Sequence, residues 1–263
     1  MKLRSALIPL TGLACLLCSE AHAIGITLPS IDDLISPTLQ REAIRTAGVL
    51  SAHRPYQPAT PLGTKLGLET MLEVTLFQIP ESFFDALAAS GINSSFSLRT
   101  LPIAKLHTHK GINERMDLGV SYIAFLKYSI YGGDFKWAFW VPDEGPTWAL
   151  RLCYAQSNLD YLRVKSWSPQ LLVSRKLNFA DAYLGAEYTW MTGRIVGSQT
   201  QDLGPPVGSV TVNIDVQDIK TTSASAFMGL GLRIPGVGIK IALEGAYSFV
   251  KAHSLGLQLG TSW

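Results

Sequence analysis

The sequence predicts an all-β fold, a transmembrane antiparallel up-and-down β-barrel of about ten strands (roughly 8 to 12) with a short N-terminal helical extension. Three observations point there. Only 16% of the 263 residues are charged, against roughly 25% in an ordinary soluble domain. Apolar residues alternate with polar or small ones over segments of about ten residues, the length a tilted strand needs to cross a bilayer. The connections sort by length, short on one side of the sheet and long on the other.

The elements follow in order. Met1 to Arg4 is a basic start, Ala6 to Cys18 is mostly apolar, and Ala21-His22-Ala23 is an A-x-A cleavage site, so residues 1–23 read as a signal peptide. The apolar run stops at Ser19-Glu20, short of the roughly twenty residues of a membrane helix. Neither Cys15 nor Cys18 follows the pattern of an acylated cysteine. Their removal leaves Cys153 alone, and an intramolecular disulfide is then excluded. Residues 24–61 form an extension. Within it Ser36 caps a helix that Pro37 opens, with Leu39, Ala43, Ile44, Ala47 and Leu50 on one face, and a Pro-rich linker runs from Pro55 to Pro61. Two placements are open for it, a plug in the barrel and a periplasmic tail. The narrow lumen of about ten strands favours the tail.

Residues 62–263 carry the barrel. Period-2 alternation runs through Leu66–Leu76, Met116–Ile130, Phe135–Val141, Trp148–Tyr154, Leu184–Trp190, Ala224–Ile234, Ile239–Phe249 and Leu255–Trp263. Weaker strands cover Leu98–Thr108 and Tyr161–Val173, each interrupted by a proline, Pro102 and Pro169. Short turns are expected at His109–Asn113, Pro142–Pro146, Asn178–Asp181 and Pro235–Gly238. On the other side Phe77–Ser97 and Val196–Lys220 are long, while Gly132-Gly133, Asn158–Asp160 and Ala252-His253 are tight. A helix over Glu81–Ser90, ended by Gly91, lies in the first long connection.

Alternation alone fits a soluble barrel as well as a membrane one. The polar face decides for the membrane, since it carries many Gly, Ser, Ala and Thr and too few charges to meet bulk water. Together the A-x-A site, the amphipathic strands and the final Leu255–Trp263 resemble the Gram-negative outer-membrane β-barrel class over about residues 62–263. The resemblance implies an outer-membrane location, lipid as the surrounding partner, and a last strand ending at Trp263 that the barrel-assembly machinery reads. Thr261 is less apolar than usual for that signal.

Strand parity assigns an inward face. Lys65, Glu69, Glu73, Arg99, Lys105, Asp117, Lys127, Lys136, Arg151, Arg163, Lys165, Glu187, Arg233, Lys240 and Glu244 are expected to line the lumen, because Arg or Lys facing lipid at mid-depth costs about 2–4 kcal/mol. Ile123, Phe125, Phe227 and Trp140 are expected to share that face. The excess of basic groups favours anions if water fills the lumen; a closed ion-pair network is the other reading. Tyr128, Trp137, Trp148, Trp190, Tyr247 and Trp263 are candidates for interfacial aromatic girdles.

Chemistry is weakly signalled. His107 and His109 share a strand face at i, i+2, but no acidic or cysteine partner stands at a metal-ligand spacing, so they read as solvated or interfacial. Cys153 reads as a buried thiol. No catalytic group, metal or cofactor is expected, and a net charge of +2 argues against nucleic acid. The expected function is a narrow channel or binding barrel for a small solute. The alternative is a non-conducting structural or adhesive barrel acting through its long connections; a membrane hydrolase is a third reading.

Overall fold

Hydrocarbon offers a backbone no hydrogen-bond partner, so a sheet that crosses it has to close on itself. In the computed structural model, which describes residues 36–64, 66–90, 99–125, 128–159, 162–178, 180–202, 209–215, 218–234 and 238–263, it does. The elements are α1 (Pro37–Ser51), β1 (Leu68–Gln78), α2 (Glu81–Ala89), β2 (Thr100–Gly111), β3 (Met116–Phe125), β4 (Tyr128–Trp140), β5 (Thr147–Leu159), β6 (Leu162–Lys176), β7 (Ala180–Asp202), β8 (Ser209–Asp215), β9 (Ile219–Ile234), β10 (Ile239–Ser248) and β11 (Ala252–Ser262). Every strand pairs antiparallel with its neighbours, and β1 pairs with β11, which closes a ring of ten strands. The seal runs to the last residue: Leu68 and Trp263 exchange both backbone hydrogen bonds, at 3.0 and 2.9 Å. β8 stands outside the ring and forms a hairpin with the far end of β7, from Val196↔Asp215 to Asp202↔Ser209.

Burial follows the pleat. On β1 the outward Leu72, Val74 and Leu76 are exposed, while Glu69, Met71, Glu73 and Phe77 are buried. The same inversion runs around the ring, with Leu118, Val120, Leu150, Leu152, Leu184, Leu243, Leu257 and Leu259 outside. An apolar exterior around a polar interior is stable only in lipid. Outward aromatics fall near both ends of the wall: Trp137, Trp148 and Trp263 lie toward the short turns, Trp190 and Tyr247 toward the long connections.

Several expectations change. Met116–Ile130 is two strands, because the chain turns between Phe125 and Tyr128, which pair with each other. Gly132 and Gly133 therefore lie inside β4 rather than at a tight connection. Pairing of Phe125 with Tyr128 puts even-numbered residues of β4 on the inner face, so Ile130 is buried and Tyr128, on the same face, is half-buried; Tyr128 does not belong to an outward girdle. Between Ala138 and Trp140 a β-bulge shifts the register, and Trp140 faces outward, 60% exposed. The expected long connection over Val196–Lys220 is largely the β7–β8 hairpin. Residues 1–35, and with them the signal-peptide reading, lie outside the described residues.

The helix of the extension is not beyond the short turns. Ile44, Ala47 and Val49 of α1 pack with Phe77, Ile103, Val164, Met191 and Ala252, at the end of the wall that carries the long connections. The lumen-width argument against an internal helix does not hold for α1, since small residues make the room. A side chain at Gly48 would overlap Met191, and one at Gly193 would overlap Ile44.

Candidate functional site

From Ala52 the chain runs through the barrel interior toward β1 as an irregular segment, with Tyr56 at φ 51°. Prolines at 55, 58 and 61 remove three N–H donors, which suits a segment with no ladder partner. Its carbonyls remain, and a buried carbonyl needs a donor. The wall supplies cations. Lys105 Nζ donates to Ala52 O (3.0 Å), Arg151 to Gln57 O (3.1 Å), and Lys136 Nζ to both Pro58 O and Thr60 O (3.0 Å each). Side chains answer in the other direction. Arg54 donates to Glu187 at 2.6 Å and to Ser254 at 3.0 Å, Gln57 donates to Glu69 at 2.9 Å, and Tyr56 bonds Thr75. Asp117 accepts from Leu62 N at 3.1 Å and pairs with Lys136 at 2.7 Å.

Of the expected luminal residues, Glu69, Glu73, Lys105, Asp117, Lys136, Arg151, Glu187, Lys240 and Glu244 are buried inside. Lys240 pairs with Glu69 at 2.7 Å, and Tyr183 donates to Glu244 at 2.9 Å. Arg233 is at the edge, its side chain 45% exposed, and reaches Glu69 at 3.3 Å. Three placements were wrong. Arg163 and Lys165 point outward, because Val164, Ser166, Ser168 and Gln170 set the inward parity of β6. They sit at the long-connection end beyond Trp167, where the mid-membrane penalty does not apply. Arg99 precedes β2 and pairs with Glu81 in the open, its side chain 68% exposed. Lys65 and Lys127 lie outside the described residues.

The sequence reading missed the densest cluster. His107 and His109 are not solvated; they are buried on the inner face of β2, and His53 of the extension comes to meet them. His107 and His109 are nearly parallel, with ring centroids 6.0 Å apart, and His53 lies 5.4 and 6.3 Å from them. Asp134 Oδ1 stands 2.7 Å from His53 Nε2 and 3.2 Å from His109 Nε2, and Glu73 Oε2 stands 2.5 Å from His107 Nε2. Two wall glycines clear the space: a Cβ on Gly119 would overlap the His109 ring and Asp134, and one on Gly132 would come 2.8 Å from His53 Nδ1. A glycine inside a strand is the signal of such close approach, and Gly132 was legible only as a turn. His253 stays exposed against Tyr247, and Cys153 is a buried free thiol.

Ser121 Oγ, 2.7 Å from His53 Nδ1, completes a Ser–His–Asp chain with Asp134. The order is that of a nucleophile, base and orienting acid. All three side chains are buried, and His53 itself belongs to the extension, so departure of residues 52–61 would admit a substrate only by taking the base away.

A closed ten-strand ring, apolar outside and charged inside, defines an integral outer-membrane β-barrel. No family model and no curated protein matches the sequence. Among solved structures the chain is similar to the outer-membrane protease OmpT of Escherichia coli, at 11% identity over 74% of this chain and 92% of that one, with a TM-score of 0.36. It is similar to the KdgM porin in complex with disordered oligogalacturonate, at 8% identity over 73% and 99%, TM-score 0.36. It is also similar to Neisserial surface protein A, at 9% identity over 74% and 97%, TM-score 0.31. Those proteins differ in role, and none of their roles is transferred to this chain.

Proposed function

We propose that the protein is a non-conducting outer-membrane barrel held shut by its own residues 37–61, the plug, and that its activity rests on the end carrying α2 and the β7–β8 hairpin. One observation supports this above others: Lys105, Lys136 and Arg151, cations that would select an anionic solute, are committed to the carbonyls of Ala52, Gln57, Pro58 and Thr60. A passing solute would have to replace those bonds. At the long-connection end the apolar contacts of Ile44, Ala47 and Val49 support a second seal. Export with loss of residues 1–23, and recognition of Leu255–Trp263 by the assembly machinery, belong to the same reading.

Planar-bilayer recording tests it. The full mature chain, refolded and checked by its heat-modifiable gel migration, is expected to be electrically silent, and a variant lacking residues 37–61 is expected to give discrete steps. Steady conductance from the full chain would overturn the closed reading in favour of a solute channel.

A further inference from the structure

We infer that His53, His107 and His109 form a binding site for one divalent transition-metal ion, of the zinc class, which clamps the plug to β2. One ring nitrogen from each of the three lies within 4.8 Å of the others, and all three residues are at most 2% exposed. Tetrahedral zinc at about 2.0–2.1 Å from each nitrogen needs separations of about 3.4 Å, so the rings close by about 1.4 Å at most. Imidazole is the ligand that suits this class of ion.

A second observation is independent of the spacing. Nδ1 of His107 and Nδ1 of His109 are buried with no hydrogen-bond partner among the described residues, while Glu73 Oε2 stands 2.5 Å from His107 Nε2. Buried polar atoms ordinarily find partners, and two orphaned nitrogens, one on each wall histidine, call for an acceptor of lone pairs; His53 would join them by exchanging its Nδ1 contact with Ser121 for the ion. Around them stand carboxylates. Asp134 touches His53 and His109, and Glu73 touches His107, which is how outer carboxylates orient metal-binding imidazoles and raise their basicity. The two carboxylates also set negative charge beside the ion, countered in part by Arg151 at 3.5 Å from Asp134. Gly119 and Gly132 keep the wall clear of the rings. No single segment carries the site: two ligands belong to the wall and the third to the plug, so metal binding and plug docking are coupled.

The inference rests on the docking of Ala52–Gln57 against β2–β4 and not on whether the lumen conducts. Metal-stripped full-length protein in detergent is loaded with Zn2+, desalted and analysed for metal per folded chain; Co2+ loading reports ligand geometry by its visible absorption. One zinc per chain and a tetrahedral Co2+ spectrum are expected, with affinity lowered at least about 100-fold in His53→Gln and about 10- to 100-fold in Asp134→Asn. His53 lies outside the strands, so His53→Gln keeps the heat-modifiable barrel and its loss of metal is a direct reading. Zinc retained equally by His53→Gln, or folded wild-type chain that retains none, would overturn the site. A conducting chain that still binds one zinc through His53 would sink the closed-barrel reading and leave this one standing.

Discussion

The two halves of the plug are held by opposite means. α1 satisfies most of its own backbone within its turns, so it meets the wall mainly by shape, against Phe77, Ile103, Val164 and Met191, with one side-chain bond from Arg45 to Thr221. Ala52–Pro61 has no ladder, and it meets Lys105, Lys136, Arg151 and Glu187. The contrast explains where the luminal charge sits. Cations are placed where an irregular segment leaves carbonyls open, and apolar side chains where a helix has closed them. A count of inward charges taken without residues 52–61 suggests an anion path; with those residues in place Lys105, Lys136 and Arg151 donate to their carbonyls.

The sharpest way to break this contrast is Lys136→Met. It removes the donor to Pro58 O and Thr60 O and leaves Asp117 buried without its partner. Breaking one side of a buried pair costs about 4 kcal/mol, and the urea midpoint for folding into lipid vesicles is expected to fall accordingly. Pairing it with Asp117→Asn should recover part of the loss. A midpoint unchanged in Lys136→Met would mean that the polar half of the plug is not docked.

On the apolar half, Ile44→Ala opens a cavity against Gly193 and Met191. The expected cost is about 3 kcal/mol, read in the same titration. Because no charge is stranded, this loss should be insensitive to salt, whereas added salt should alter the Lys136→Met loss little as well, since that pair is shielded from solvent. The two halves would be alike in salt response and differ in cause: a partner restores one, and only volume restores the other.

The exterior of the barrel was legible because hydrocarbon judges each outward residue alone. Leu72, Leu150 and Leu257 announce their face by parity and need no knowledge of the rest of the chain. Inward residues are chosen by partners far away in sequence, and the reading weakened there. His107 and His109 showed a shared face, yet His53 belongs to a segment whose course no local pattern dictates. Gly132-Gly133 carries the signature of a turn and of a close approach alike; taking it as a turn hid both the Phe125–Tyr128 hairpin and the inward Asp134. Arg163 and Lys165 failed for another reason: the rule that strand charges face inward holds at mid-depth only, and these two stand past the aromatic residue Trp167.

The smallest effect is expected from Arg99→Ala, and its size calibrates the luminal pairs. Arg99 and Glu81 lie 3.3 Å apart, but their side chains are 68% and 76% exposed, so water already solvates both and salt screens their attraction. Removing the arginine should cost under about 1 kcal/mol, and less as salt is added. Lys136 and Asp117 differ from them in distance by little and in burial by almost the whole range. If Arg99→Ala shifted the folding midpoint as far as Lys136→Met, the loss would follow from deleting a charge anywhere on the chain. The gap between the two variants therefore measures what the sealed interior adds, and a gap of about 3 kcal/mol is what a plug excluding water from the lumen requires.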